Sequence, residues 1–257
     1  QLLQIADIEV KTGVLEDECR NLNEVFFHFM ETGLPFVTVK YAQTIDGRIA
    51  TSTGHSQWIS SPDSLKFAHQ LRAEHDAILV GIGTVLKDNP SLTVRHVRGR
   101  NPLRIILDSN LTMPEGANVV QNLSQIPTLI ATTKSASDPV LQKLVKAGIQ
   151  ILSVHPDKNN HINLRQLLPL LAARNISSLL IEGGAQIITS ALKEDLVNRL
   201  VAVIAPKIIG KGVEAIGDLN IRHLKEAKLL AVKSVRKKGV DVIIDSRLMP
   251  SAHSVRP

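Results

Sequence analysis

The sequence is poor in cysteine and contains no long apolar run. It has one cysteine, Cys19, in 257 residues. A single thiol excludes an intramolecular disulfide and leaves no thiolate pair for a structural zinc site or a dithiol redox centre, which favours the cytoplasm as compartment. No basic-then-apolar signal segment opens the chain, and no apolar stretch approaches the roughly 20 residues that cross a bilayer. We therefore expect no membrane association.

The sequence also lacks concentrated charge. Its formal net charge is +6, from 30 basic against 24 acidic residues, but the longest basic run is residues 236–238. Without a basic block, a nucleic-acid partner is not expected, whereas a diffuse positive field suits anionic small molecules. None of the 9 histidines has metal-ligand spacing to another histidine or to the cysteine, so no metal site is predicted. The absence of a Gly-x-Ser-x-Gly elbow argues against a serine hydrolase.

Short apolar runs instead alternate with segments of helical period from Phe36 onward. This alternation predicts an α/β fold with a mostly parallel central sheet, because such runs are typical of strands buried on both faces by helices. With 44% hydrophobic residues the chain can bury a substantial core. The predicted strands are Phe36–Ala42, Ala77–Gly81, Arg104–Asp108, Thr128–Thr132, Gln150–Val154, Ser178–Glu182 and Leu200–Ala205.

Helices are predicted between these strands and an antiparallel hairpin after them. Ser61 as N-cap, Pro62 at the first position and a stripe of Leu65, Ala68 and Leu71 mark one helix at Pro62–Glu74. The other predicted helices are Ser137–Ala147, Leu164–Arg174 and Ala185–Leu192, and the hairpin joins Ala227–Lys237 to Val240–Ser246.

Both ends of the chain differ from this pattern. Residues 1–34 read as a strand-like Ile5–Val10 and an acidic helix Glu16–Thr32 ending at Gly33, without the core to fold alone. We interpret them as an arm or the tail of a preceding module, and the absence of an initial Met suggests a trimmed or excised segment. Residues 35–247 form the main domain, and residues 248–257 read as a disordered tail.

Polar residues follow several predicted strands directly: Gly81 to Thr84, Asp108-Ser109, Thr132-Thr133 and Glu182-Gly183-Gly184. In open α/β sheets ligands bind at this carboxyl edge, so these loops form the default site. Gly183 and Gly184 lead into a helix that begins at Ala185. Two interpretations of this turn are equally compatible with the sequence: a phosphate-binding turn at a helix N-terminus, or a tight turn without a ligand. The Gly81 loop is not a dinucleotide fingerprint, because Leu86 stands where a small residue is needed; Gly83 and Thr84 fit a phosphate contact or an ordinary turn.

Four further side chains stand out. Trp58, the only tryptophan, lies in a polar stretch, where it forms either a wall for a flat ring or a core filler on a loop. Lys40 interrupts an apolar strand, so it needs a partner or a substrate unless it reaches solvent. Arg72 and Arg95 suit a phosphate through a bidentate fork, although most surface arginines hold nothing specific.

Several separated blocks resemble one enzyme family, the reductase domain of the bacterial bifunctional riboflavin-biosynthesis deaminase/reductase. The similarity runs from about Pro35 to Asp245 and keeps the family's order. The blocks are Val39-Lys40-Tyr41-Ala42 with Ile45-Asp46-Gly47-Arg48, Ser56-Gln57-Trp58-Ile59-Ser60-Ser61, Leu71-Arg72-Ala73, Gly83-Thr84-Val85-Leu86 with Asp88-Asn89-Pro90, and Ile181-Glu182-Gly183-Gly184.

The resemblance implies a dihydrofolate-reductase-like fold, usually dimeric, that uses NADPH to reduce the ribosyl group of 5-amino-6-(5-phosphoribosylamino)uracil to ribityl. Our own hypothesis for this chemistry is that Lys40 polarises or protonates near the sugar and that Glu182 orients its hydroxyls, so we predict both as catalytic residues. The implied cofactor-binding residues are Ala42, Trp58, Thr84, Asp88, Ser109, Gly183, Gly184 and Ala185. The last three belong to a turn and helix that, by the same resemblance, face the cofactor as far as Ser190. The implied substrate-binding residues are Ser56, Arg72, Leu92, Arg95 and Glu182.

The segment Ile8–Asn23 resembles the end of the deaminase domain in the fused enzyme, whose zinc ligands have no counterpart in this sequence. We therefore predict no deaminase activity, with a deaminase domain or protein as a partner. Two alternatives stay open: a reductase of the undeaminated diamino-pyrimidine or a pterin, and a nucleotide-binding scaffold without turnover.

Overall fold

The computed structural model describes residues 2–135 and 137–249. Its helices are α1 (Leu2–Ile5), α2 (Glu16–Leu22), α3 (Glu24–Thr32), α4 (Pro62–Glu74), α5 (Ile82–Asp88), α6 (Pro139–Lys146), α7 (Leu164–Ala172) and α8 (Ala185–Lys193). Its strands are β1 (Phe36–Thr44), β2 (Arg48–Thr51), β3 (Ala77–Gly81), β4 (Leu103–Leu107), β5 (Thr128–Thr132), β6 (Gln150–Ser153), β7 (Ser178–Glu182), β8 (Arg199–Ala205), β9 (Gly212–Glu214), β10 (Leu230–Lys238) and β11 (Asp241–Leu248). Single 3₁₀ turns lie at Asn118–Val120 and Leu224–Glu226.

Nine strands form one sheet in the order β10-β11-β8-β1-β7-β3-β4-β5-β6. All pairs from β8 to β6 are parallel, and the hairpin β10–β11 is antiparallel and joins the sheet through β8. The predicted mostly parallel α/β sheet with a C-terminal antiparallel hairpin is therefore confirmed. The small strands β2 and β9, which were not predicted, pair separately.

Helices cover both faces of the sheet because successive side chains of a strand point to opposite sides. Along β3, Ala77 and Leu79 pack in a core with α7 and α8, whereas Ile78 and Val80 pack in a second core with α4, α5 and α6. This double burial explains the continuous apolar runs of the central strands. It does not extend to β6, whose Gln150 and Ser153 are exposed because that strand lies at the edge.

The helix α4 begins at Pro62 as predicted, but its cap differs from the expectation. The Ser61 hydroxyl donates to Asp241 Oδ2 at 2.8 Å and makes no capping bond to the helix. The buried stripe consists of Phe67, Ala68 and Leu71, and Leu65 is only half-buried. This helix is thereby tied to the start of β11, and its last turns lie close to the ends of the central strands.

The predictions for the N-terminal arm were partly wrong. Residues 5–10 contain no strand, and the expected single helix is divided at Asn23, whose φ of −109° and ψ of 27° interrupt the helical geometry. Gly33 ends α3 in the left-handed region, as expected, with φ of 67°. The arm contacts the main domain through α3, where Arg247 pairs with Glu24. The tail predicted at 248–257 lies outside the described residues from 250 onward, and Leu248 still belongs to β11.

Candidate active site

A cleft of about 750 Å³ opens at the carboxyl ends of β1, β3, β4 and β7. Ten of the predicted catalytic and binding residues line it: Lys40, Ala42, Ser56, Thr84, Asp88, Ser109, Glu182, Gly183, Gly184 and Ala185. They come from five separate segments of the chain and meet because parallel strands end at one edge of the sheet. This placement agrees with the expectation that the loops at the carboxyl ends of the strands form the site.

Lys40 and Glu182 face each other because their strands are in register. Lys40 on β1 is the direct partner of Glu182 on the parallel strand β7, and Lys40 Nζ donates to Glu182 Oε1 at 3.3 Å. From α4, Arg72 Nε donates to the other oxygen, Glu182 Oε2, at 2.7 Å. The carboxylate is thus held between two cations, and the exposed fraction is 11–12% for each of the three side chains.

The electrostatics of this cluster keep Glu182 ionised. Burial alone raises the pKa of the Glu182 carboxyl, but the charges and hydrogen bonds of Arg72 and Lys40 outweigh burial and lower that pKa to about 2. At neutral pH Glu182 is therefore a hydrogen-bond acceptor and has no proton to give. A proton needed in this part of the cleft has to come from another group, and Lys40 is the nearest ammonium to the carboxylate.

The turn after β7 uses two glycines in conformations that other residues rarely adopt. Gly183 and Gly184 have φ values of 108° and 81°, and Gly184 precedes the first residue of α8. The turn leaves the first backbone N–H groups of a nine-residue helix at the cleft, where the helix dipole favours an anion. A Cβ at Gly183 would lie 3.6 Å from Thr84 Oγ1, so this turn and the start of α5 form neighbouring walls.

The ends of β3 and β4 complete that side of the cleft. Ser56 Oγ donates to Asp88 Oδ1 at 3.4 Å, which joins the loop before α4 to the end of α5. Asp108 is fully buried, and its carboxylate accepts from Thr112 Oγ1 at 3.2 Å and from the Met113 backbone N–H at 2.8 Å. The Asp108 carboxylate thus supports the loop that presents Ser109.

The predicted loop Thr132-Thr133 is not part of the cleft lining. Both hydroxyls donate to the Ser109 carbonyl, at 3.2 and 3.0 Å, so these threonines hold the Ser109 backbone from behind. That interpretation was wrong because β5 ends one strand farther from the centre of the site than β4.

Four other singled-out residues lie outside the lining. Trp58 is 71% exposed, and its carbonyl accepts from Lys207 Nζ at 2.6 Å. Leu92 is 3% exposed and belongs to the core under α4. Arg72 reaches the cleft only through Glu182, and the Arg95 side chain is exposed. Their predicted contacts with a cofactor or substrate stay predictions.

Several lining residues were missed from the sequence. Ile49 and Val213 come from the pair β2–β9, which covers one side of the cleft, and residues 157 and 159–162 come from the loop after β6. The Asp46 carboxylate holds this pair by accepting from the backbone N–H groups of Ile209 and Gly210 at 3.2 and 2.7 Å. Strands of three or four residues carry too little apolar pattern to be recognised from the sequence. Lys87 also lines the cleft, and it could have been predicted because it lies one helical turn after Thr84.

Comparisons with known proteins agree on one family. The model of the RibD C-terminal domain matches residues 35–244. The riboflavin biosynthesis protein RibD of Aquifex aeolicus is 44% identical over 243 residues, which are 94% of this chain and 66% of that protein. The chain thus spans slightly less than two thirds of this relative.

Two solved structures have the same fold. RibD of Acinetobacter baumannii is 27% identical with a TM-score of 0.84 and is matched over 97% of this chain and 68% of that one. The diaminohydroxyphosphoribosylaminopyrimidine deaminase/5-amino-6-(5-phosphoribosylamino)uracil reductase of Thermotoga maritima is 30% identical with a TM-score of 0.78, over 96% of this chain and 66% of that one.

Proposed function

The chain belongs to the RibD C-terminal domain family, and from this premise we propose that it reduces the ribosyl group of 5-amino-6-(5-phosphoribosylamino)uracil to ribityl with NADPH. One observation supports this most strongly: a buried Lys40–Glu182–Arg72 cluster and a twin-glycine turn open into the same cleft. The cluster suits a polar sugar, and the turn suits a dinucleotide phosphate.

The residues of the cleft fit a nicotinamide dinucleotide. Positive φ at Gly183 and Gly184, the start of α8 and a volume of about 750 Å³ accommodate a ligand that approaches the backbone closely. When bound, the reduced nicotinamide supplies a hydride. Thr84, Ser109 and the Gly183–Ala185 turn would hold it, and their position along the strand ends supports a nicotinamide next to the Lys40–Glu182–Arg72 cluster.

The protein's own part in the reaction is to position the sugar and to deliver a proton. Opening of the ribosylamine ring gives a C1′=N imine; the hydride adds to C1′ and a proton adds to the nitrogen, which yields the ribitylamine. Because Glu182 is ionised, it accepts hydrogen bonds from the sugar hydroxyls. The Lys40 ammonium, 3.3 Å from that carboxylate, is the group that donates or relays the proton.

Preference for NADPH over NADH is supported by the end of β4. Enzymes that select NADH commonly present a free carboxylate to the ribose diol. Here Asp108 also lines the cleft, but its carboxylate is buried and engaged by Thr112 and Met113. The donors Ser109 and Asn110 line the cleft beside it. At the end of β4 a 2′-phosphate would therefore meet the donors Ser109 and Asn110, while the Asp108 carboxylate is engaged by the protein.

The proposed partner is a second copy of this chain, held at the hairpin. Val235 on β10 pairs with Ile244 on β11, which pairs with Ala202 on β8. Ala202 belongs to the core beneath α7 and α8. The row Val235, Ile244 and Ala202 therefore extends the sheet face that these helices cover onto the hairpin, where no helix in the described part of the chain covers it. Val235 nevertheless exposes 61% of its surface and Val232 exposes 57%. Such a continuous apolar strip favours a homodimer contact.

Sedimentation tests the dimer. Val235→Lys should reduce the sedimenting mass from twice 28.0 kDa to 28.0 kDa, because a lysine in the strip would be buried without a partner. Val140→Lys, at a 47% exposed position on α6 and away from the hairpin, is the matched control. A wild-type chain that sediments as a monomer at micromolar concentration contradicts the proposal.

A coupled assay tests the activity. A separate deaminase generates the substrate, and the loss of the reduced nicotinamide is followed with deaminated and undeaminated pyrimidine in parallel. Oxidation with the deaminated compound alone is the expected result. Lys40→Ala and Glu182→Gln should each lower kcat on the order of a hundredfold, whereas Lys225→Ala, at an exposed position, should not. Full activity of the first two variants, or NADPH binding without consumption, would overturn the proposal; the second result indicates a scaffold that serves a separate deaminase.

A further inference from the structure

The backbone that carries Arg95 is fastened to α4 at two points. Arg72 Nη1 donates to the Thr93 carbonyl at 3.1 Å, and the Arg95 backbone N–H donates to His69 Nδ1 at 3.0 Å. His69 and Arg72 lie one helical turn apart, so they face the same segment from one side of the helix. Between the two bonds, the Val94 N–H donates to Asn101 Oδ1 at 2.7 Å. Three consecutive residues are therefore held through their backbones while the Arg95 side chain stays exposed.

His69 is an unusual residue for its position. Its side chain is 0% exposed, and within residues 2–135 and 137–249 its Nε2 has no hydrogen-bond partner. Its ring contacts His96 edge-to-face, with centroids 4.5 Å apart. Burying an imidazole with one unpaired nitrogen costs free energy that a leucine would not cost. The bond from Nδ1 to the Arg95 N–H is the contact that a leucine could not replace.

The surroundings of His69 keep its ring neutral. Burial, followed by the positive charges of Arg72, His96 and Arg95, lowers the pKa of His69 to about 4, against a smaller opposite effect of Glu182. A neutral ring with Nδ1 as acceptor carries its proton on Nε2. Protonation would turn Nδ1 into a donor facing another donor and would break the bond to Arg95.

We propose that His69 is the positioning residue of the phosphate subsite, which fixes the Arg95 backbone so that its guanidinium and that of Arg72 bind one phosphomonoester together. The inference rests on the proposed function, since the phosphate is that of the ribosylamino-pyrimidine. Arg95 forms no ion pair with any residue that the structure describes, whereas Arg72 is already bonded to Glu182 and Thr93. Arg95 therefore offers its whole guanidinium to the phosphate, Arg72 offers the Nη2 that its bonds through Nε and Nη1 leave over, and His69 decides where the Arg95 donors lie.

Two nearly isosteric variants separate positioning from packing. His69→Asn places an amide oxygen near Nδ1 and keeps an acceptor, whereas His69→Leu removes it. We expect His69→Leu to raise KM for the phosphorylated substrate on the order of tenfold, the effect of one lost hydrogen bond, with KM for NADPH within about twofold. The ratio of kcat/KM for the phosphorylated substrate to that for its dephosphorylated form should fall by the same factor, and His69→Asn should restore most of it. An unchanged ratio in His69→Leu, or no rescue by His69→Asn, overturns the inference.

The pH profile gives an independent measurement if His69→Leu does not fold. In the wild type, KM for the phosphorylated substrate should rise, relative to that of His69→Asn, as the pH falls from about 6 toward 4, because only the wild type has a ring to protonate. The titration of the phosphate itself affects both proteins and cancels. Parallel profiles contradict the role of His69.

The outcomes for the two proposals can be told apart. A wild-type protein that does not oxidise NADPH with the pyrimidine contradicts the proposed function. In that case calorimetric titration with ribose 5-phosphate still tests His69, because binding that is weakened in His69→Leu and restored in His69→Asn supports the subsite. Equal binding by all three proteins refutes it.

Discussion

The replacement Glu182→Gln measures how strongly the cluster in the cleft depends on its one negative charge. In the folded protein the Glu182 pKa lies at about 2 instead of 4.5, a difference that corresponds to about 3 kcal/mol in favour of the ionised folded state. The glutamine has the same shape but no charge, so Lys40 and Arg72 remain as neighbouring cations with exposed fractions of only 11%. We expect the free energy of unfolding at pH 7 to fall by about 3 kcal/mol.

The pH dependence of this cost identifies its cause. A carboxyl whose folded pKa is lowered contributes stability that is complete above its unfolded value of about 4.5 and is lost as the pH falls toward its folded value of about 2. Urea unfolding at pH 7, pH 4 and pH 3 should therefore show wild type and Glu182→Gln converging, with about half of the difference gone by pH 3.

A matched control is available in Glu214→Gln. Glu214 pairs with Arg48 Nη1 at 2.8 Å, but 61% of its side chain is exposed, so the loss should stay below about 1 kcal/mol at every pH. The reasoning is refuted if Glu182→Gln costs no more than this control at pH 7. It is equally refuted if the cost of Glu182→Gln is the same at pH 3, since a steric cause would not titrate.

Two other predictions concern stability. Gly212→Ala should lower the free energy of unfolding, measured in urea, by about 2 kcal/mol and weaken NADPH binding, because its Cβ would collide with the Ala50 carbonyl across the β2–β9 pair. The control is Gly81→Ala, whose Cβ would meet only the flexible tip of Ile187 at 2.8 Å and which should cost under about 1 kcal/mol. Equal costs of the two substitutions contradict this explanation. The pKa of His69 is lowered to about 4, chiefly by burial, so the stability that His69 contributes is complete above about pH 6.5 and is lost as the pH falls toward 4, by at most about 3 kcal/mol. Burial also lowers the pKa of His75, which adds to the loss in the same direction. The stability of His69→Asn should change less over this range, and a decline as steep as the wild type's would argue against the assignment.

The central strands were predictable because their residues face protein on both sides. Continuous runs such as Ala77–Gly81 and Ser178–Glu182 have the same bounds in the structure as in the sequence pattern, since a helix covers each face and no alternation is needed. The failures lie where burial is weak. The arm before Leu34 has no fully buried side chain among its described residues, so its apolar residues do not report on a strand, and β2 and β9 are too short to show a period.

The candidate site was predictable to the level of strand ends but not of side-chain partners. The sequence places Lys40 and Glu182 at the ends of two strands, yet 142 positions separate them, and only the order of the sheet makes those strands neighbours. Trp58 shows the opposite limit. Trp58 is the only tryptophan of the chain and lies in a polar stretch, which led to the prediction that it contacts the ligand. In the structure its side chain is 71% exposed and lies outside the cleft lining.

Arg72 connects the two halves of the proposed substrate site. One of its nitrogens bonds the Glu182 carboxylate at 2.7 Å and another bonds the Thr93 carbonyl at 3.1 Å, so a single guanidinium spans the sugar-facing cluster and the segment that presents Arg95. The planar guanidinium donates to both acceptors, the Glu182 carboxylate and the Thr93 carbonyl, at the same time, which a lysine ammonium at this position would not reproduce. Because the helix that carries Arg72 also carries His69, one rigid element would set both the proposed phosphate position and the proposed position of the reacting sugar. In the proposed reaction a phosphorylated sugar would thus enter a site whose two ends cannot move independently, and the free energy of binding its phosphate would be available to align C1′ for the hydride.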